Sequence, residues 1–233
     1  MLNLDVDLAG NLARVTDAIA EAAVQAGRQP SEITLVGISK THGAEEVATL
    51  VQAGLRHVGE NRVQEAADKF PRVLSLVTSS PIFHMIGHLQ TNKAGAAVEL
   101  FQRIDSVDSL KLAQALSRRA SGELPVLIEV YVGDDPSRPG VRPDQLLDVV
   151  GSVLEVPRLH VEGLMTVAPL EDDARKAFAR VRELKVTMSA AFPALNFGVL
   201  SMGMSEDYRE AIVEGSTEVR IGTALFGPRK PRF

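Results

Sequence analysis

The chain has 233 residues, 45% of them hydrophobic, a formal net charge of −5 and no cysteine. That is enough for one sizeable core, and it excludes a disulfide framework, a thiolate metal site, a cysteine nucleophile and any general attraction to phosphodiester backbones or anionic lipid. Asp5 and Asp7 stand where a secretory signal is basic, and no apolar run approaches the roughly 20 residues of a membrane span, so a cytoplasmic protein with no membrane or nucleic-acid partner is expected.

Taken in order, strand and helix signals alternate. Leu4, Leu8, Leu12, Val15 and Ile19 recur at three and four residues and predict an amphipathic helix to about Gln25, ahead of the first strand. ITLVGISK (33–40) reads as a buried strand ending in Lys40. A helix with Val47, Leu50 and Val51 on one side follows, stopped by Gly54. Next come a short strand, RHVGEN, ended by Asn61, and helical residues from Arg62 to about Phe70, which lead through Pro71 and Pro81 to the next strand. FHMIG is a third strand, with a helix from near Leu89. FQRID is a fourth, with a helix over Asp108 to Arg119. PVLIEVYV is the fifth, its loop GDDPSRPG dense in turn formers before a helix opened by Pro143 and stopped by Pro157. HVEGLMTV precedes a helix carrying Ala177, Phe178, Val181, Leu184 and Met188. FGVLSM and EVRIG are the last strands, with Tyr208 to Glu214 helical between them, and the basic tail Arg229, Lys230, Arg232 is expected to be solvated.

About eight strand-helix units in a length near the roughly 250 residues typical of such barrels predict a single (β/α)8 barrel spanning residues 1–233, with an extra N-terminal helix. A doubly wound open sheet is the competing architecture, but nothing after the first strand resembles GxGxxG. A barrel gathers its chemistry at the C-terminal ends of its strands, where Lys40, Asn61, Ser201 and Gly222 fall. Alternation puts Val36, Ile38 and Lys40 on one face. A lysine ending an apolar row loses charge stabilisation, its pKa drops from about 10.4, and the neutral amine suits Schiff-base chemistry with a carbonyl. The bland alternative is a lysine that caps the strand and reaches into water.

The loops after strands seven and eight are where such barrels often hold phosphate. In SMGMSEDY, Ser201 offers a hydroxyl and Gly203 permits close backbone approach; in VRIGTALFG, Gly222 and Thr223 offer backbone N–H groups and a hydroxyl at a helix start. Alternation along EVRIG turns Glu218, Arg220 and Gly222 to one face. Arg220 then enters the barrel mouth, either as a permanent donor to a ligand or in a salt bridge to Glu60, Glu129 or Glu162. His84 and His88 are four apart, but HMIGH crosses a strand-to-loop junction, so no metal site is expected there. His42, beside Lys40, is read as ending the strand.

The runs GISKTHG, HVGENRVQEAADKF, FHMIGHLQTNK, VEGLM, LSMGMSEDY and GSTEVRIGTALFG resemble the pyridoxal phosphate homeostasis protein family along nearly the whole chain. The resemblance implies a barrel like the N-terminal domain of alanine racemase and pyridoxal 5′-phosphate held as an aldimine. It assigns that linkage to Lys40, the phosphate cradle to Ser201, Gly222 and Thr223, the pyridine-nitrogen contact to Arg220, and further lining to Asn61 and Met202. It also implies a role in vitamin B6 balance with little or no catalysis, apo-enzymes that need the cofactor as partners, and a monomer or weak homodimer. An amino-acid racemase is the principal alternative. Racemases of this lineage use a second base, a tyrosine from a further domain, whereas only Tyr131 and Tyr208 occur here. A Schiff-base aldolase would need an added acid or base that the sequence does not single out.

Overall fold

In the computed structural model, which describes residues 7–169 and 173–228, eight parallel strands hydrogen-bond in chain order and the eighth returns to the first, closing a barrel. The strands are β1 (Thr34–Ile38), β2 (His57–Glu60), β3 (Ile82–Met85), β4 (Arg103–Val107), β5 (Leu124–Glu129), β6 (Leu159–Met165), β7 (Val199–Ser201) and β8 (Glu218–Ile221). The helices outside are α1 (Leu8–Gln25), α2 (Ala44–Gln52), α3 (Val63–Leu76), α4 (Ala94–Leu100), α5 (Leu110–Ser117), α6 (Leu146–Leu154), α7 (Ala174–Ala191), α8 (Tyr208–Val213) and α9 (Thr223–Phe226). The open-sheet alternative is thereby excluded. Among the described residues, no helix is long and apolar enough to cross a membrane.

Two apolar layers follow from strand alternation. Ile104, Val126, Ile128, Leu164, Leu200, Val219 and Ile221 point outward and join Phe70, Leu116, Phe178 and Phe226 from the helices in one continuous core. Val36, Ile38, Leu127 and Met165 are equally buried but lie apart from that core, inside the barrel. A side chain added at Gly37 would meet Leu55 and Leu225, whereas one at Gly59 would meet Ile38 and Val36, which fixes the outward and inward sense of both strands. The additional helix α1 packs on α8 and α9, with Asn11 Nδ2 donating to the Leu225 carbonyl at 2.9 Å.

Two sequence expectations need correcting or limiting. Helix α3 does not end near Phe70 but runs through Pro71 to Leu76. The carbonyl that proline leaves unbonded belongs to exposed Ala67, where water can satisfy it, while buried Val73 extends the apolar stripe of Val63, Ala66 and Phe70. Packing on both sides of the proline outweighs its local cost. Leu4 and the tail Arg229, Lys230, Arg232 lie outside the described residues.

Candidate functional site at the C-terminal mouth

Strand β1 ends at Ile38, so Lys40 is delivered by a turn and not by the strand itself. Ser39 O accepts the His42 N–H at 3.1 Å, which makes Lys40 and Thr41 the central residues of a β-turn. Thr41 has φ +71°, a conformation that β-branched residues adopt only under strain, and its Oγ1 is buried without a hydrogen-bond partner. The strain is sustained by a buried ionic brace. Lys69 Nζ donates to Ser39 O at 2.7 Å, to Glu65 Oε1 at 3.1 Å and, very closely, to Glu60 Oε1. Glu65 Oε1 in turn accepts the Thr41 N–H at 2.6 Å, and Glu60 accepts Ser39 Oγ–H at 2.7 Å and the Asn61 N–H at 3.1 Å. One ammonium and two carboxylates thus hold the Lys40 turn and the exit of β2 together. His42 stacks on Phe226 with ring centroids 4.8 Å apart, tying the same turn to α9.

Asn61 stands directly after β2, half-buried, with Oδ1 shielded from solvent and unpartnered. Gly87, at the exit of β3, passes so near that a Cβ there would lie 2.4 Å from Asn61 O, so no larger residue fits. Across the barrel, Arg220 Nη1 donates to Ser201 Oγ at 2.8 Å and Nη2 to Thr166 O at 2.7 Å. Burial pushes its pKa down from the usual arginine value, opposed by the charges of Glu218, Asp105 and Glu129. None of the three carboxylates expected as its salt-bridge partner takes that place: Glu60 belongs to Lys69, Glu162 lies 3.5 Å from Arg103, and Glu129 Oε2 is buried and unpartnered.

The last two loops meet as the sequence suggests. Arg220 N–H donates to Gly203 O at 2.9 Å, and Gly203, at φ +95°, sits where a Cβ would be 2.6 Å from Ala211. Gly222 caps α9, and Thr223, exposed, opens it. Met202 is the residue that comes out differently. It is fully buried, but its side chain points outward into the core between sheet and helices, so only its backbone stands behind Ser201. Tyr131 is buried with its hydroxyl over Gly133 and with Arg142 4.6 Å from its ring centre, while Tyr208 packs on the outer core.

The opposite, N-terminal end of the barrel is polar too, but differently arranged. Arg103 Nε and Nη2 donate to both Asp105 oxygens at 2.7 and 3.0 Å, and Nη2 reaches Glu218 Oε1 at 2.6 Å. His84 Nδ1 is 3.2 Å from Asp105 Oδ2, and its Nε2 is 3.0 Å from His57 Nδ1. His84, Asp105 and Glu218 are near enough to hold a cation, but Arg103 already donates to both carboxylates. Burial works against the Asp105 charge, yet His84 and Arg103 outweigh it and hold that carboxyl well below the usual range. His88 does not join His84; it is exposed, 3.0 Å from Asp108.

Sequence reasoning missed Thr41 and passed over Glu129 as a site residue. Alternation along LIEVY, which sets Leu127, Glu129 and Tyr131 on one face, could have marked a lone carboxylate entering the barrel. The backbone conformation of Thr41 has no signal in residue type.

The family model for the alanine racemase N-terminal domain matches residues 11–230. The pyridoxal phosphate homeostasis protein of Escherichia coli K12 is 39% identical over 229 residues, covering 96% of this chain and 97% of its own. Among solved structures, PipY of Synechococcus elongatus PCC7942 with PLP bound is 36% identical, with a TM-score of 0.80 over 90% of this chain and 100% of that one. Alanine racemase of Clostridium difficile 630, at 16% identity and a TM-score of 0.70, shares the fold over 93% of this chain but only 56% of its own.

Proposed function

The chain belongs to the pyridoxal phosphate homeostasis protein family, built on the alanine racemase N-terminal domain, and on that footing we propose that it binds pyridoxal 5′-phosphate at the C-terminal mouth through Lys40 and serves to hold and hand on the cofactor. The observation that carries this reading is the collection of buried, unpartnered oxygens at strand ends around that mouth, Thr41 Oγ1, Asn61 Oδ1 and Glu129 Oε2. Buried polar atoms in native proteins find partners, so three orphans at one end point to a ligand with polar atoms of its own. The residues present therefore fit the cofactor.

Bound pyridoxal phosphate supplies an aldehyde that captures primary amines and a ring that can spread negative charge. Lys40 provides the amine, and the strained turn braced by Lys69 limits how far its Nζ can wander. Ser201 accepts an N–H from Arg220, which leaves its own O–H free to donate toward phosphate, joined by the first-turn N–H groups behind Gly222 and the Thr223 hydroxyl. Met202 contributes by fixing the backbone behind Ser201. Asn61 lines the facing wall. Arg220, always a donor, holds a pyridine nitrogen unprotonated and makes the ring a poor electron sink, which suits carriage of the cofactor to apo-enzymes better than amino-acid turnover. Tyr208 packs on the outer core and Tyr131 is buried between Gly133 and Arg142, which favours carriage of the cofactor over racemisation.

The test is a titration of the purified chain with pyridoxal phosphate, followed in the visible range beside Lys40→Ala. A Lys40-dependent absorption band is expected; equal spectra for both proteins overturn the assignment.

A further inference from the structure

Strand β5 ends inside the barrel on a carboxylate. Glu129 is 8% exposed, and its Oε2 is sealed from solvent with no hydrogen-bond partner. Its register neighbour on β6 is Met165, whose neighbour on β7 is Ser201, so Glu129 occupies the same tier of the interior as the hydroxyl that Arg220 grips. The charged groups around it come from four elements. Asp108 follows β4, His88 follows β3, Arg138 lies in the loop after β5, and Arg220 enters from β8, while β6 presents the apolar Met165. Arg220 directs both terminal nitrogens elsewhere, to Ser201 and Thr166.

An ionised carboxylate with a dry, unpaired oxygen is a costly arrangement. The neutral acid costs less, because it carries no charge, and it has an O–H donor to offer at the same place. Resting on the reading above, the ligand in this mouth is a pyridine ring whose nitrogen is served by Arg220 and whose phenolic oxygen is an acceptor still without a donor. Ionised Glu129 would set acceptor against acceptor; neutral Glu129 offers the missing donor. We propose that Glu129 is a cofactor-binding residue that works as the neutral acid, donating its carboxyl O–H to an acceptor of the pyridine ring, so that binding above neutrality takes up a proton from solvent.

The electrostatics agree with the geometry. Burial first, and then Asp108, push this carboxyl up to about 7 against the opposing pull of Arg220, His88 and Arg138. With its titration at about 7 the Glu129 carboxyl is mostly ionised at pH 8, and ligand binding restores its proton. Affinity is full below pH 7 and falls as pH rises through it, by up to about tenfold per unit.

The experiment is isothermal titration with pyridoxine 5′-phosphate, the alcohol analogue, which shares ring and phosphate but cannot condense with Lys40. It is run at pH 8 in two buffers of different ionisation heat, on the wild-type chain and Glu129→Gln. Wild type should take up nearly one proton more per ligand than Glu129→Gln, whose amide donates without titrating, and the affinity of the variant should lose the steep fall between pH 7 and pH 8. Equal proton counts and equal pH profiles overturn the proposal. If that variant does not fold, Glu129→Ala takes its place in the same comparison, where the ligand's own proton cancels, and equal proton counts are again fatal. Uptake without a Lys40-dependent band in the earlier titration overturns the Lys40 reading instead, and failure of the analogue to bind at any pH overturns the Glu129 proposal while that band still decides the Lys40 reading.

Discussion

The two ends of this barrel hold the same kinds of side chain in opposite states of satisfaction. At the N-terminal end, Asp105, Glu218, Arg103, His84 and His57 bond to one another until the carboxylates are shared out. At the C-terminal mouth, Thr41, Asn61 and Glu129 keep buried oxygens without partners, and a threonine is held at positive φ. A saturated network stabilises a fold; an unsaturated one spends stability on a ligand still to come. The difference in satisfaction distinguishes the two ends where the mere presence of polar residues, which both possess, does not.

Breaking the saturated end should have the largest effect. Asp105→Ala leaves Arg103 and His84 buried beside a lost partner, and a loss of about 3–5 kcal/mol in denaturant unfolding is expected, with the fold rather than ligand chemistry as its cause. A change below about 1 kcal/mol would show the network to be incidental.

At the mouth the sign reverses. The Glu129 carboxyl titrates at about 7 in the folded chain against 4.5 for the unperturbed group, so the folded protein holds more protons between those limits. Its stability is full below pH 4.5 and is lost as pH rises through 7, by up to about 3 kcal/mol at pH 8. Glu129→Gln should escape that loss, giving an unfolding midpoint above wild type at pH 8 and a gap that closes toward pH 4.5. A variant less stable than wild type at pH 8 would contradict the unsatisfied reading of this residue. Smaller again is Thr41→Gly. Relief of the positive φ, offset by glycine's extra backbone freedom, should raise stability by up to about 1 kcal/mol while weakening retention of pyridoxal phosphate. A tighter-binding variant would mean that the strained turn does not position Lys40.

The barrel could be read from the sequence because strand and helix periods alternate cleanly, and apolar runs such as LVGI and VLIEV admit few other folds. The positions of Lys40, Ser201, Arg220 and Gly222 were legible for the same reason, each standing at or just beyond the end of a strand. What could not be read depends on distant pairing. Arg103 meets Glu218 across 115 residues, and Lys69 of α3 reaches back to Ser39, contacts that no local pattern announces. Met202, assigned to the site through the resemblance, turns its side chain into the outer core because adjacent strand residues face opposite ways, which leaves only its backbone behind Ser201. Pro71 misled because local propensity gave way to packing on both of its sides.

The central claim is that Lys40 anchors the cofactor, and borohydride reduction of the pyridoxal phosphate-loaded chain, followed by peptide mass mapping, tests it most directly. A single reduced pyridoxyl phosphate on Lys40, absent from Lys40→Ala, is the predicted result. Label on any other lysine in the wild-type chain, or equal labelling of the variant, would contradict it.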